Sequence, residues 1–451
     1  MMKAWVVTVD MGLGHQRATY PLSSMAEGGV LPVGAGQSCS QKEARLWSRV
    51  RNAYEMVSRC KSIPLVGGSL FGLMDRLLSI PPYYPVRDLS APDFQVKLLE
   101  TLIERGLCRG MLERMKTKSL PLITSYLAPA IAADRAGYEP VYCIVCDAEV
   151  ARAWVARDPR ESRIRYLVPC ERTVLRLRSY GVPRQRIHLT GFPLPLELLG
   201  NRSLDRLKLD LSRRLSRLDP EGRFWKRHGK SVAPLLGGAI PAAVLRPAGQ
   251  PAGRPAGRPA PLTLTFAVGG AGAQGEIGRQ IAFSLRERLE QGSVSLNLVA
   301  GVREEVRDYF ETCKARLLPG NPNLRVIFAP SKPEYFRAFS RILHETDLLW
   351  TKPSELSFYS GLGIPLILSP AIGSQEVFNR RWLLEIGAGI PQEDPSCTGQ
   401  WLFDLLGSGR LAEIAWSGFL NVQKYGTYRI REILEKTAEA GQSKESNLEV
   451  A

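Results

Sequence analysis

The chain lacks any run of the roughly 18 uninterrupted apolar residues that a membrane-spanning helix needs. Its nearest approach, Ile63 to Tyr84, is broken by Asp75 and Arg76. A bundle that crosses a membrane is therefore not expected, while contact with a membrane surface stays open. The start also lacks the apolar length of a secretion signal. Met1-Met2-Lys3-Ala4-Trp5-Val6-Val7-Thr8-Val9 runs straight into Asp10 and a glycine loop, so it reads as a first strand. Cysteine is sparse, with eight in 451 residues. That is no disulfide framework, and it suits a reducing compartment. Cys143 and Cys146 form a CxxC on the apolar run that begins at Val141, and no second pair supplies further ligands. The expectation is a buried strand and no metal site.

Acidic residues are also few: 44 Asp and Glu face 60 Lys and Arg, for a net charge of +16. Such an excess invites an anionic partner, whether nucleic acid, acidic lipid or a phosphorylated substrate. Charge alone does not choose among them, and an arginine-rich genome would produce the same balance. No aromatic-basic platform or nucleic-acid motif accompanies it, so nucleic acid is not expected. Apolar content of 44% and charged content of 23% are those of an ordinary globular chain.

Single cores stop growing at roughly 250–300 residues, so 451 residues imply two domains. In the first half, Val141 to Val145, Ile164 to Val168 and Ile187 to Thr190 read as strands, with a helix over Thr173 to Tyr180. In the second, Leu262 to Val268, Ser295 to Ala300, Leu324 to Phe328, Leu348 to Trp350 and Pro365 to Ser369 read as strands separated by helical stretches. Strands alternating with helices predict a parallel sheet covered on both faces in each half. Between Pro247 and Pro261 a Pro-Ala-Gly repeat has nothing to bury and places the boundary there. Just before it, Leu204, Leu207, Leu211, Leu215 and Leu218 recur at helical spacing among arginines and lysines, behind a candidate N-cap at Ser203. That basic amphipathic helix has two fates open to it, an acidic membrane surface or its own domain. The expected organisation is an N-terminal domain over 1–200, helix and linker over 201–261, a C-terminal domain over 262–436 and a flexible tail over 437–451.

Each half follows its first strand with a glycine-rich loop. Asp10-Met11-Gly12-Leu13-Gly14-His15-Gln16 comes after Val6 to Val9, and Gly269-Gly270-Ala271-Gly272-Ala273-Gln274-Gly275 comes after Thr263 to Val268. Glycines at such a turn let backbone amides approach a ligand, and the following helix tip offers unpaired N–H groups to phosphate. Either loop alone can be a mere tight connection; the duplication is what points to a site. His15, one of only four histidines, is placed to take a proton from a hydroxyl, although a histidine that only braces the turn would read the same. Further on, Thr351-Lys352-Pro353-Ser354-Glu355 puts Ser354 where it can cap a helix, and Gly361-Leu362-Gly363-Ile364-Pro365 closes that segment. Gln375, Glu376 and Asn379 then fall together at the start of the next helix, where amide and carboxylate groups suit adjacent sugar hydroxyls or else cap the helix.

These loops, the Thr-Lys-Pro-Ser-Glu stretch, the Gly-Ile-Pro turn and Gln-Glu-x-x-Asn resemble the series found in monogalactosyldiacylglycerol synthases, processive diacylglycerol glucosyltransferases and the N-acetylglucosaminyltransferase that makes lipid II. Tyr166-Leu167-Val168-Pro169-Cys170-Glu171, Tyr180-Gly181-Val182-Pro183 and Thr190-Gly191-Phe192-Pro193 are similar to the segments that close the N-terminal domain there. The resemblance leaves out 20–120 and 200–261. It implies the GT-B architecture, two Rossmann-like α/β domains facing each other across a cleft. It also implies transfer of a sugar from a nucleotide diphosphate donor, usually uridine-linked, to an acceptor that is often a lipid, with inversion and with neither metal nor cofactor. Carried over, His15 would be the base, with Asp10, Gly12 and Gly14 in the acceptor-side loop. Gly269, Gly270, Gly272, Ala273 and Gln274 would cradle the diphosphate. Lys352, Ser354, Glu355, Gln375, Glu376 and Asn379 would complete the donor site. A cytoplasmic location follows, with peripheral attachment to an anionic inner membrane face left open.

One departure stands out. The family's ribose-binding glutamate falls five residues before the glycine of the Gly-x-Pro turn, and Phe358 occupies that place here; Glu355, three residues earlier, is its candidate replacement. Two other readings remain. A nucleotide-sugar 2-epimerase shares the architecture and would draw on Asp10, Glu355 and Glu376 as acid–base groups. A catalytically silent nucleotide-sugar-binding protein would tolerate the loss at Phe358.

Overall fold

The structure, a computed structural model, describes residues 2–34, 39–60, 80–237, 260–269, 272, 274–371 and 373–449, with backbone only for 53–60, 438 and 440–449. Gly270, Ala273, the Pro-Ala-Gly repeat and the apolar stretch from Leu65 to Leu78 lie outside the described residues.

Twelve described strands form two six-stranded sheets, parallel throughout. The first holds β1 (Trp5–Val9), β2 (Leu31–Val33), β3 (Leu122–Thr124), β4 (Val141–Ile144), β5 (Arg165–Val168) and β6 (Ile187–Leu189), in the order β2-β1-β3-β4-β5-β6. The second holds β7 (Leu262–Ala267), β8 (Val294–Gly301), β9 (Leu324–Phe328), β10 (Leu348–Thr351), β11 (Leu366–Leu368) and β12 (Gly389–Pro391), in the order β12-β11-β10-β7-β8-β9. Counted from β7 the second order is 3-2-1-4-5-6, the Rossmann arrangement, whereas the first follows the 2-1-3-4-5 doubly wound pattern with a sixth strand added. The fold is therefore α/β with two Rossmann-like units. The central strands are mostly apolar because both faces are covered by helices: every residue of β1, β4, β7, β8 and β10 is buried, the few polar ones such as Thr265 and Asn297 included.

Short β2, β3 and β12 carry little apolar signal and were not legible as strands. The remaining strands lie within a residue or two of their expected places.

The chain divides into one unit of Met1–Leu194, Ile372–Asn379 and Gln423–Ala451 and a second of Pro195–Ala371 and Arg380–Val422. This corrects the expected boundary, which moves from the Pro-Ala-Gly run to Leu194. The leucine helix, Asp205–Leu218, is the reason. Leu207, Leu211, Leu215 and Leu218 are at most 1% exposed. Arg214 is buried too, its guanidinium donating to the carbonyls of Thr346 at 2.8 Å, Leu362 at 2.9 Å, and Gly363 and Leu343 at 3.3 Å. Arg217 grips the buried Asp347 at 2.7 Å, and Asp347 in turn accepts the Thr263 N–H at 2.9 Å, so the helix is fastened to the start of β7. Of the two fates left open for this helix, the structure shows packing against its own unit, with part of the basic face interior. The helix starts differently as well: Leu204, at φ 61°, occupies the N-cap, and Ser203 donates to Asn201 instead.

The C-terminal end also departs from expectation. Residues 437–449 are not a loose tail but continue the helix Gly426–Glu449, which belongs to the first unit. Its Thr427 hydroxyl donates to the Leu194 carbonyl at 2.5 Å, Arg429 reaches the carbonyls of Leu189 and Thr190, and Thr437 pairs with the Tyr142 hydroxyl at 2.6 Å. No helix among the described residues is long and apolar enough to cross a membrane.

Candidate functional site

In an open parallel sheet, ligands lie outside the carboxyl ends of the strands at the point where strand order reverses. The first unit reverses between β1 and β3, and the second between β7 and β10. Both glycine loops end at these points, because each follows the first strand of its unit.

In the first unit, Gly12 takes φ 92°, a value that favours glycine, and turns the chain into the helix Leu13–Thr19. His15 lies in that helix, and its Nδ1 sits 2.7 Å from the carbonyl oxygen of Ser125, just past the end of β3. A carbonyl only accepts, so the nitrogen facing it carries the proton; in the neutral form of the ring the acceptor nitrogen is therefore Nε2. The ring is walled by Tyr126, edge-on at 4.9 Å, and by Trp154 at 6.2 Å. Asp10 is exposed and accepts from the Gln16 side chain at 3.3 Å; Gly14 lies inside the short helix. Next along the strand ends, the Cys146 thiol approaches the same Ser125 carbonyl at 3.9 Å. Cys143 and Cys146 are both free and buried, and burial pushes the Cys143 thiol far up.

In the second unit, Lys352 leaves the end of β10 beside β7, next to Gly269. The Lys352 stem lies against Gly269: a Cβ there would come within 2.4 Å of the Lys352 Cε, so any larger residue would move the end of that flexible side chain aside. Gly272, at φ 73°, faces Val306, and a Cβ on it would also meet the Arg303 stem at 3.8 Å. Gln274 adopts φ 71° at the N-cap of the helix Gly275–Ser284, and its side-chain amide donates to the Pro370 carbonyl at 3.1 Å. Gly278 lets this helix close on β7, since a Cβ there would meet the Phe266 ring at 2.8 Å. Glu276, in the helix's first turn, is held by Arg279 at 2.9 Å and by the Tyr309 hydroxyl at 2.6 Å. Those hydrogen bonds pull its carboxyl down to about 2.

The segment after Lys352 is a 3₁₀ helix, Glu355–Leu362, rather than an α-helix. Ser354 stands at its N-cap but makes no capping bond with its side chain. Residues i and i+3 eclipse in a 3₁₀ helix, so Glu355 and Phe358 share one face. Glu355 is 9% exposed, and Phe358 is wholly buried against Trp382 at 5.1 Å, a core residue. Gly363, at φ 67°, lies against Leu211 with room for no Cβ, so the Gly-Ile-Pro turn serves packing. The buried Ser369 hydroxyl, past the end of β11, has no hydrogen-bond partner among the described residues, while its amide donates to the Thr351 carbonyl at 3.0 Å.

The expected donor residues thus divide. Gly269, Gly272, Gln274, Lys352, Ser354 and Glu355 belong to the second unit, but Gln375, Glu376 and Asn379 group with the first. All three lie in the helix Ser374–Glu385. Gln375 and Glu376 are half-buried. Asn379 is fully buried, which removes it from direct contact with a sugar. Its carboxamide accepts the Ala148 N–H and donates to Asp147, both at 2.8 Å. Sequence reasoning missed Ser125, Tyr126, Trp154, Asp147, Gly278 and Arg303. Asp147 carried a usable signal, an acidic residue directly after an apolar strand; Ser125 did not, because it acts through its backbone.

No protein-family model matches the chain, and no curated protein does. Among solved structures, similar folds include the UDP-GlcNAc 2-epimerase from Neisseria meningitidis bound to UDP-GlcNAc, with 12% identity, a TM-score of 0.48, and 96% of this chain and 100% of that chain covered. The S. aureus MnaA–UDP co-structure gives 11%, 0.48 and 97% of each chain. CalG4, the calicheamicin glycosyltransferase, gives 13%, 0.45, and 96% and 98%. At these values the likenesses carry no argument about chemistry.

Proposed function

We propose that the chain is an inverting glycosyltransferase that takes its sugar from a nucleotide diphosphate donor, with uridine as the expected base. The observation that carries this reading is the Lys352 side chain laid across Gly269 where the strand order of the second sheet reverses. A cation beside a glycine loop and a helix tip is a place for a diphosphate, and it stabilises that group most when it departs with full charge. His15 is the proposed base: with its Nδ1 donating to the Ser125 carbonyl, Nε2 can take the acceptor hydroxyl's proton. The acceptor oxygen then bonds to the anomeric carbon as the bond from that carbon to the diphosphate oxygen breaks, and the configuration inverts. Gln375 and Glu376 hold sugar hydroxyls, and no step needs a metal.

Exposed Tyr84, Val86, Phe94 and Leu98 in the first unit, with the net charge of +16, favour an acceptor presented at an anionic lipid surface. The second reading is a nucleotide-sugar 2-epimerase, whose acid–base groups would be drawn from Asp10, Glu355 and Glu376. Incubation with donor alone separates the two, because an epimerase turns over without an acceptor.

The test is a thermal-shift panel of nucleotide diphosphate sugars. A ligand at about 100 times its Kd adds about 2.7 kcal/mol to the folded state and raises Tm. A uridine donor should stabilise the wild type, and Gln375→Ala with Glu376→Ala should lose the part of that response due to the sugar. Absence of any response across the panel sinks the reading.

A further inference from the structure

Gln375, Glu376 and Asn379 look like one motif, yet the third does a different job. Asn379 lies one turn after the other two, at i+4 and i+3, and therefore on the same face of the helix. A carboxamide both accepts and donates, and this one uses both ends on a single turn of chain, the Ala148 N–H and the Asp147 carboxylate. That turn follows β4 directly. Its preceding residue, Cys146, contacts the Ser125 carbonyl that also receives the His15 Nδ1 proton. The contacts run from His15 through Ser125 and Cys146 to Asp147 and then Asn379, all within the first unit.

We propose that Asn379 is a positioning residue: it docks the first turn of the helix Ser374–Glu385 onto the Asp147–Ala148 turn, so that Gln375 and Glu376 are held at a fixed place relative to His15. This rests on the glycosyltransferase reading and adds to it a residue that touches no substrate. The chemistry of the contact is restrictive. An aspartate at 379 could accept from Ala148 but would set a second carboxylate against Asp147, at close range and with little water. An asparagine at 147 would relieve that clash, because it can donate to the new carboxylate. Exchanging the two side chains therefore rebuilds both hydrogen bonds with one of them reversed.

The experiment compares wild type, Asn379→Asp and the exchange variant Asn379→Asp with Asp147→Asn. For each, calorimetry gives the Kd of UDP and of UDP-glucose, UDP-galactose and UDP-N-acetylglucosamine. The expected result is that Asn379→Asp binds UDP like the wild type but loses about tenfold or more of the affinity that the preferred sugar adds, and that the exchange restores most of it. A residue that only stabilises the fold would weaken UDP and UDP-sugar together. Unchanged sugar discrimination in Asn379→Asp, or an exchange variant that folds and discriminates no better than the single one, overturns the proposal. If Asn379→Asp does not fold, the exchange variant alone decides. Failure of the wild type to bind UDP and every UDP-sugar overturns the glycosyltransferase reading as well, a result distinct from the other two.

Discussion

The two glycine loops occupy equivalent places in their sheets and are built for different work. The first, at Gly12, has open space where a Cβ would stand, and its helix has seven residues with no acid in the first turn. What it delivers is a side chain, His15, whose orientation comes from a carbonyl on the adjacent strand end. In the second, a lysine stem fills the space that a Cβ on Gly269 would need. Lys352 lies against Gly269 there, and a ten-residue helix, Gly275–Ser284, follows the loop. Glycine permits a turn in one loop and a close approach in the other. A shared glycine pattern therefore does not imply a shared role for the two loops.

The sharpest way to break this comparison is to remove the delivered group from each loop. His15→Ala should cut transfer by about 10²–10⁴-fold, the range for a lost general base, while the Kd of a UDP-sugar stays put. Normal turnover in this variant would reduce His15 to a brace for the turn. Lys352→Ala should do the reverse, weakening UDP binding by about 10–100-fold, as expected for a lost charge-assisted contact. Gly269→Ala should cost less than Lys352→Ala, since the new Cβ only shifts the end of a flexible stem and leaves its charge in place. Equal effects of His15→Ala and Lys352→Ala on UDP affinity would mean that the two loops are not specialised as described.

How far the residues spoke in advance follows the same division between side chain and backbone. The alternation of buried strands and helices was legible because parallel strands must be apolar on both faces, and the runs around Val141, Leu262 and Leu348 could hardly be anything else. The unit boundary was not. It depends on Arg214 and Arg217 turning inward to cap carbonyls and a buried carboxylate, which looks in sequence like an ordinary solvated basic face. The proposed site could be read from the sequence wherever a side chain or a glycine would carry the chemistry, as at His15, Gly269 and Lys352. It was illegible where a carbonyl does, as at Ser125. Asn379 was read by its residue type, and its burial against Asp147 could come only from the fold.

The smallest predicted effect concerns the acid that the first turn of the second loop's helix has and that of the first loop's helix lacks. Glu276 sits in the first turn of the helix proposed to face the diphosphate, where a second negative charge is unwelcome, and Arg279 and Tyr309 turn it aside. Those partners pull its carboxyl from 4.5 to about 2. A depressed folded-state value means that its stabilising contribution is complete above about 4.5 and is lost as pH falls toward 2. Both groups are 42–53% exposed, so salt and solvent screen the pair, and Glu276→Gln should move Tm by no more than about 1–2 °C at neutral pH. Donor affinity is the better measure, and its sign decides. Removing a charge that repels the diphosphate, and releasing Arg279 from it, should tighten UDP binding about 2–5-fold in low salt, by the same amount at every pH from 5 to 8, because Glu276 stays ionised throughout that range. Weaker binding would instead make Glu276 an attractive contact, and the second loop would then be reading ribose hydroxyls where phosphate has been assigned.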